Sequence, residues 1–261
     1  MLFEIDGREA FAATGGRNHD ASLPLAVFLH GAGMDHSVWA LQSRWFAHHG
    51  HGVLAVDLPG HGRSAGPPLP SIASAADWTA RLIGAFGGGP ALLVGHSMGA
   101  LIGMEAAANH PALVAGLGLI GAAAKMPVHP DLLAAAAADH PDAIAMVSLW
   151  GLGAQATRGG NLAPGQWMLG GVVRLLERAG SGVLHNDLAA CNAYQDGASA
   201  AARIACPTFV VIGEKDMMTP PKAGRALAAL IKDARSVILP GAGHMLMAER
   251  PDETLAALRG E

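Results

Sequence analysis

Short aliphatic runs without polar alternation recur along this chain, most of them bounded by glycine or proline: LAVFL (25–29), VLAV (53–56), ALLV (91–94), LGLI (117–120), TFVVI (208–212) and SVIL (236–239). A strand with one face in water alternates apolar and polar residues, so these runs suit strands covered on both faces, as in a parallel sheet between helices. Segments of helical character lie between them, over 37–49, 72–86, 98–109, 221–231 and 252–259. That alternation predicts an α/β fold. At the start, FEIDGREAFAA sets Asp6-Gly7 between two short alternating runs, which predicts a hairpin and two antiparallel strands at one edge of the sheet.

The rhythm breaks between Ile120 and Thr208. No strong strand signal falls there, and helix-like pieces stand near 130–139, 141–149, 165–179 and 184–193. The expected organisation is a core of residues 1–124 and 207–261 with a helical cap, 125–206, inserted between core strands. Pro127, Pro130, Pro141 and Pro164 mark helix starts or loops in that insertion, and the alanines of DLLAAAAADH favour helix without implying a function.

At 261 residues the chain is long enough for one large domain built around a site. Hydrophobic residues make up 51% and charged ones 15%, with net charge −4, which suits a compact globular protein and argues against a nucleic-acid partner. Cys191 and Cys206 are too few for a disulfide framework and read as reduced thiols. MLFEIDGREAFAATGG carries Glu4, Asp6 and Arg8 and lacks the apolar stretch of a signal peptide, and no charge-free span of membrane length follows. The expectation is a soluble, cytoplasmic protein. His48, His49 and His51 of AHHGHG read as a solvated helix end, since no carboxylate or cysteine completes a ligand set, and no metal is expected.

Chemistry concentrates at VGHSMGALIG, where a strand signal runs through Gly-x-Ser-x-Gly into a helix. Such a turn presents Ser97 on a strained corner with its hydroxyl outward, and glycine at 95 and 99 lets neighbouring backbone come close. Because the turn opens a helix, the Met98 N–H is left unpaired and faces charge developing on a substrate oxygen. A serine hydroxyl needs a base, and the base needs a carboxylate to fix its tautomer. Asp216 follows the strand TFVVI in GEKDMM, and His244 follows SVILP in GAGHMLMAERP. Glu214 is the second candidate for the acid. His96 flanks the serine but points away from it in such an elbow and is not expected to act as base. After LAVFL, HGAGMDHSVW offers the Ala32 N–H as a second oxyanion donor.

HGAG (30–33), DLPGHGRS (57–64), GHSMG (95–99), GEKD (213–216) and GAGH (241–244) together resemble, in order and over nearly the whole chain, an α/β-hydrolase-fold serine hydrolase of the branch with a helical cap. The resemblance implies a mostly parallel eight-stranded sheet with helices on both faces, Ser97 as nucleophile, His244 as base and acid, Asp216 as orienting acid, Ala32 and Met98 as oxyanion donors, and no cofactor. It gives His30, Asp57, His61 and Ser64 structural roles in the loops beside the site.

A serine where an aspartate would stand argues against epoxide hydrolases and haloalkane dehalogenases and for acyl transfer to water. The cap holds Arg158, Arg174 and Arg178 but no clear carboxylate or phosphate clamp, so a neutral, mainly apolar carboxylic ester is the expected small-molecule substrate. Gly31, Trp150, Met168, Met217 and Met245 are the candidates to line its pocket. The same motifs also occur in lactonases, carbon-carbon bond hydrolases, cofactor-free perhydrolases and receptor-like proteins of low turnover, and oligomeric state is left open.

Overall fold

The computed structural model describes residues 1–86, 89–159 and 167–260. Its eight strands are β1 (Leu2–Ile5), β2 (Arg8–Ala13), β3 (Leu25–Leu29), β4 (Gly52–Asp57), β5 (Ala91–His96), β6 (Val114–Ile120), β7 (Thr208–Gly213) and β8 (Arg235–Leu239). They form one sheet in the order β1-β2-β4-β3-β5-β6-β7-β8. The first two strands make the expected hairpin, Ile5 opposite Arg8 across Asp6-Gly7, and β2 runs antiparallel to β4. All other pairings are parallel. Strands β3 and β4 are buried at every residue, which is why their sequences do not alternate.

Twelve helices complete the described residues: α1 (Ala40–His48), α2 (Ile72–Phe86), α3 (Met98–Asn109), α4 (Pro130–Ala137), α5 (Pro141–Trp150), α6 (Ala154–Thr157), α7 (Met168–Leu176), α8 (Val183–Ala193), α9 (Gly197–Arg203), α10 (Pro221–Leu230), α11 (Leu246–Glu249) and α12 (Pro251–Arg259). The first part of the expected 37–49 helix is a 3-10 turn, His36–Trp39, because the Asp35 side chain caps the Ser37 N–H and tightens the entry. Of the expected 165–179 helix, the first two residues lie outside the described residues, as does Pro164. Helices α6, α9 and α11 are too short to leave a periodic signal. The histidines of AHHGHG serve the fold: His49 stacks on Trp45 at 3.9 Å and His51 meets Phe46 edge-on.

Among the described residues, six helices, α4 to α9, stand between β6 and β7. Residues of α4, α5, α7 and α8 line a cavity together with loops at the carboxyl ends of the strands, so these helices roof the sheet there. Helix α9 instead packs on α3 and α10 beside the sheet. The roof is pinned from several sides: Arg178 meets Asp35 at 2.6 Å, and the Gly151 carbonyl accepts the main-chain N–H groups of His244 and Met245.

The strand order puts the site where it is. From β3 the chain crosses to β4 on one side and then to β5 on the other, so the loops after β3 and β5 diverge and leave a crevice at the carboxyl ends. Those loops carry Ala32 and Ser97.

Candidate active site

Ser97 joins β5 to α3 with φ +54° and ψ −117°, a conformation costly for a residue with a side chain. Its N–H donates to the Ile120 carbonyl, and its own carbonyl accepts the first helical N–H groups, from Ala100 and Leu101. The flanking glycines make the corner possible. A Cβ at Gly95 would run into the Gly99 carbonyl, and one at Gly99 would run into the Leu29 carbonyl. Gly99 thereby brings the start of α3 against the end of β3. Neither the Met98 N–H nor the Ala32 N–H donates to a protein acceptor among the described residues.

Asp216 and His244 come from loops after β7 and β8, and both are buried. His244 Nδ1 lies 2.8 Å from Asp216 Oδ2. Since a carboxylate only accepts, Nδ1 carries the proton, and Nε2 is left with a lone pair that has no protein partner among the described residues. Asp216 is itself held: Oδ1 accepts the N–H groups of Met218 and Thr219 at 2.9 and 2.8 Å, and Oδ2 accepts the Thr219 hydroxyl at 2.6 Å. Burial alone would raise its pKa, but the charge and hydrogen bond of His244 and the donors of Thr219 outweigh burial and hold it below the ordinary carboxylate value. Glu214, by contrast, faces solvent and accepts the Gly241 N–H at 2.9 Å.

His96 points away from the cavity. Its Nε2 lies 2.9 Å from the His244 carbonyl oxygen, so Nε2 carries the proton and steadies the His244 main chain. Burial, with His244 nearby, drops its pKa to about 3, and the ring is neutral.

Ser97 and His244 open on one cavity of about 300 Å³. Trp150, Met217 and Met245 line it, beside Leu132, Val147, Leu184 and Leu188. The described residues around it include no lysine, arginine, aspartate or glutamate. Two expected lining residues lie elsewhere. Gly31 is turned under the loop against His96, where a Cβ would come within 2.9 Å of Nδ1, and Met168 faces a neighbouring groove with Trp167. Cys191 also lines the cavity, and burial pushes its thiol pKa up, so the thiol stays protonated and apolar.

Among the described residues, Asp35, His36 and Asp57 form one group whose donor atoms lie within 4.8 Å of one another, close enough to gather a cation. Their oxygens already serve the loops: Asp57 accepts the N–H groups of His36 and Arg63, and Asp35 caps Ser37 and meets Arg178. Three functional side chains left no sequence signal, Thr219, Glu249 and Asp187. Thr219 acts on Asp216 three residues before it, whereas Glu249 and Asp187 reach Gly153 and Gly33, 96 and 154 positions away.

The profile of the Alpha/beta hydrolase family matches residues 26–258. The chain belongs to that family. A pimeloyl-[acyl-carrier protein] methyl ester esterase of Chromobacterium violaceum is 30% identical over 262 residues, 90% of this chain and 92% of that one. A shorter match, 37% identical over 89 residues and 34% of each chain, joins it to an (E)-2-((N-methylformamido)methylene)succinate hydrolase of Acinetobacter baylyi. Among solved structures, the enol-lactonase from Burkholderia xenovorans LB400 superposes with TM-score 0.86 at 26% identity over the whole of both chains. This alpha/beta hydrolase is accordingly a hydrolase with esterase and lactonase relatives. Among the described residues no helix is long and apolar enough to cross a membrane.

Proposed function

We propose that this chain is a serine carboxylesterase for neutral, mainly apolar esters, working through an acyl-enzyme on Ser97. The observation that carries the reading is the bare Nε2 of His244, oriented by Asp216 at 2.8 Å and opening with Ser97 on an apolar cavity. In the first half-reaction Nε2 takes the Ser97 hydroxyl proton as Oγ attacks the ester carbonyl. The tetrahedral oxyanion receives the N–H groups of Ala32 and Met98. His244 then returns the proton to the leaving alcohol, and in the second half water follows the same course to release the acid. Each oxyanion donor of this kind contributes roughly 2.7–4 kcal/mol to the transition state.

The lining supports the substrate class. A carboxylate close to the reacting bond would need a cation or a set of N–H donors, and the described lining has no lysine or arginine. The succinate in the name of the Acinetobacter relative's substrate would therefore find no counter-charge here. A lactone is a cyclic ester and reacts by the same steps; the likeness to the enol-lactonase favours it as the second reading.

Hydrolysis of p-nitrophenyl esters from acetyl to dodecanoyl, by wild type and Ser97→Ala in parallel, tests the proposal. Turnover abolished by the substitution supports it, with the chain-length optimum sizing the pocket. Ring opening of a neutral lactone without turnover of open esters would shift the assignment to the second reading, and no turnover of either would overturn both.

A further inference from the structure

Asp187 stands on α8 in the roof over the sheet, yet its side chain is buried against the loops after β3 and β4. Its Oδ2 accepts the Gly33 N–H at 2.9 Å and lies 2.7 Å from His61 Nε2; its Oδ1 accepts an N–H of Asn186 at 3.3 Å. The other His61 nitrogen, Nδ1, lies 3.0 Å from the Pro59 carbonyl oxygen. Both partners of the ring are acceptors, so both nitrogens carry protons and His61 is an imidazolium paired with Asp187. Its neighbour His30, with ring centroids 4.8 Å apart, is neutral instead: Nε2 accepts the Leu58 N–H at 3.1 Å and Nδ1 donates to the Gly31 carbonyl at 2.9 Å.

This buried pair lies one peptide away from the reaction. Gly33 follows Ala32, has φ +67°, and packs so closely under the roof that a Cβ there would meet Leu184 at 2.9 Å. The Asp187 carboxylate fixes the plane of the Ala32–Gly33 peptide, and that plane limits where the Ala32 N–H on the other side of the same residue can point. His61, held by Pro59, anchors the carboxylate in turn.

We propose that Asp187 is a positioning residue for the oxyanion hole: from the roof, it sets the Ala32 N–H toward the developing charge, so that the donor is aligned only while α8 is seated on the core. The inference rests on the serine-esterase reading above.

The test compares wild type with Asp187→Asn, which keeps the size of the side chain and loses its charge. Three quantities are read: kcat and KM for p-nitrophenyl butanoate, inhibition by an alkyl trifluoromethyl ketone, which forms an oxyanion adduct with the serine, and inhibition by a simple alkyl alcohol, which fills the cavity without one. The expected result is a roughly tenfold fall in kcat and a similar rise in the ketone Ki, with KM and the alcohol Ki within about twofold. A folded variant with unchanged kcat and ketone Ki overturns the proposal. So does a variant in which KM and the alcohol Ki worsen as much as kcat, because that pattern marks a general loosening of the cavity. If Asp187→Asn does not fold, the double variant His61→Gln/Asp187→Asn, which leaves no uncompensated buried charge, is read by the same criteria. Wild type inactive on every ester, or Ser97→Ala as active as wild type, would sink the esterase reading and this inference with it, whereas an active, Ser97-dependent enzyme indifferent to Asp187 sinks the inference alone.

Discussion

The Glu249 carboxylate accepts the Gly153 N–H at 2.9 Å and the Gly243 N–H at 3.1 Å, joining the helical roof to the residue that precedes His244. Burial raises the pKa of this group, against the opposing effect of N–H donors from Gly243, Gly153 and Met245. The glycines are needed for the approach, because a Cβ at Gly153 would come within 2.9 Å of Glu249 Oε2.

Replacing Glu249 by alanine leaves two buried N–H groups without their acceptor. At about 1–3 kcal/mol for each stranded group, Glu249→Ala is expected to lose about 2–6 kcal/mol of stability. Urea unfolding measures it, and a loss under about 0.5 kcal/mol would show that the two loops hold without the carboxylate.

Acid should destabilise the protein well above the range in which carboxylates titrate. Burial, with the charge of His61 added, lowers the pKa of His30 to about 4, and burial lowers that of His96 to about 3, against an ordinary 6.5. Below pH 6.5 the unfolded chain takes up protons that the folded chain refuses, so stability falls as pH drops from 6.5 toward 4, by roughly 3 kcal/mol from His30 alone. His61 works in the other direction: its hydrogen bond and ion pair with Asp187 overcome burial and raise its pKa, so its contribution is complete below 6.5 and fades as pH rises through the folded value. Melting temperatures at pH 7.5, 6, 5 and 4.5 should decline steadily; a flat profile would refute the neutral burial of His30 and His96.

Two glycine-to-alanine changes should have opposite signs. Gly99→Ala forces a Cβ into the Leu29 and His30 carbonyls and should cost more than about 3 kcal/mol, with loss of activity. Gly84 lies in α2 with nothing within 4 Å of an added Cβ, and Gly84→Ala should raise stability by about 0.5–1 kcal/mol. Thermal melts of both variants decide it, and a tolerated alanine at 99 would mean that α3 does not need its close seat on β3.

Filling the cavity should shorten the preferred substrate. Val147 lines it from α5, and Val147→Phe places a ring in a space of about 300 Å³. The optimum along the p-nitrophenyl ester series is expected to move down by about two to four carbons with little change for the acetyl ester. An unmoved optimum would place the acyl chain elsewhere.

Thr219→Val removes the hydroxyl that donates to Asp216 Oδ2 at 2.6 Å while Oδ1 keeps its two N–H donors. A charge-assisted hydrogen bond of this kind is worth about 1.5–3 kcal/mol, so the variant should unfold at lower urea, and kcat/KM should fall several-fold. Unchanged stability and rate would show that the two N–H donors suffice.

What was legible in the sequence is what local chemistry dictates. Unalternating aliphatic runs became strands, covered on both faces in β3 and β4 but not in β8, where Val237 and Ile238 are exposed at the sheet edge; Asp6-Gly7 turns the hairpin, and glycines on both sides of Ser97 announce a corner that other residues would block. The order of Ser97, Asp216 and His244 at strand ends was legible for the same reason, since each follows its strand by a few residues. Which side chains line the cavity was not: Trp150, Met217 and Met245 reach it, while Gly31 and Met168 face other surfaces, because the seating of the roof on the sheet decides this, and no local pattern encodes it. Glu249 between Gly153 and Gly243 and Asp187 between His61 and Gly33 belong to the tertiary structure, whereas Thr219 meets Asp216 within one short turn. Glu249 and Asp187 act through directed hydrogen bonds to Gly153, His61 and Gly33, 96, 126 and 154 positions away, and a bond of that range exists only once the strands have been ordered and the helices packed.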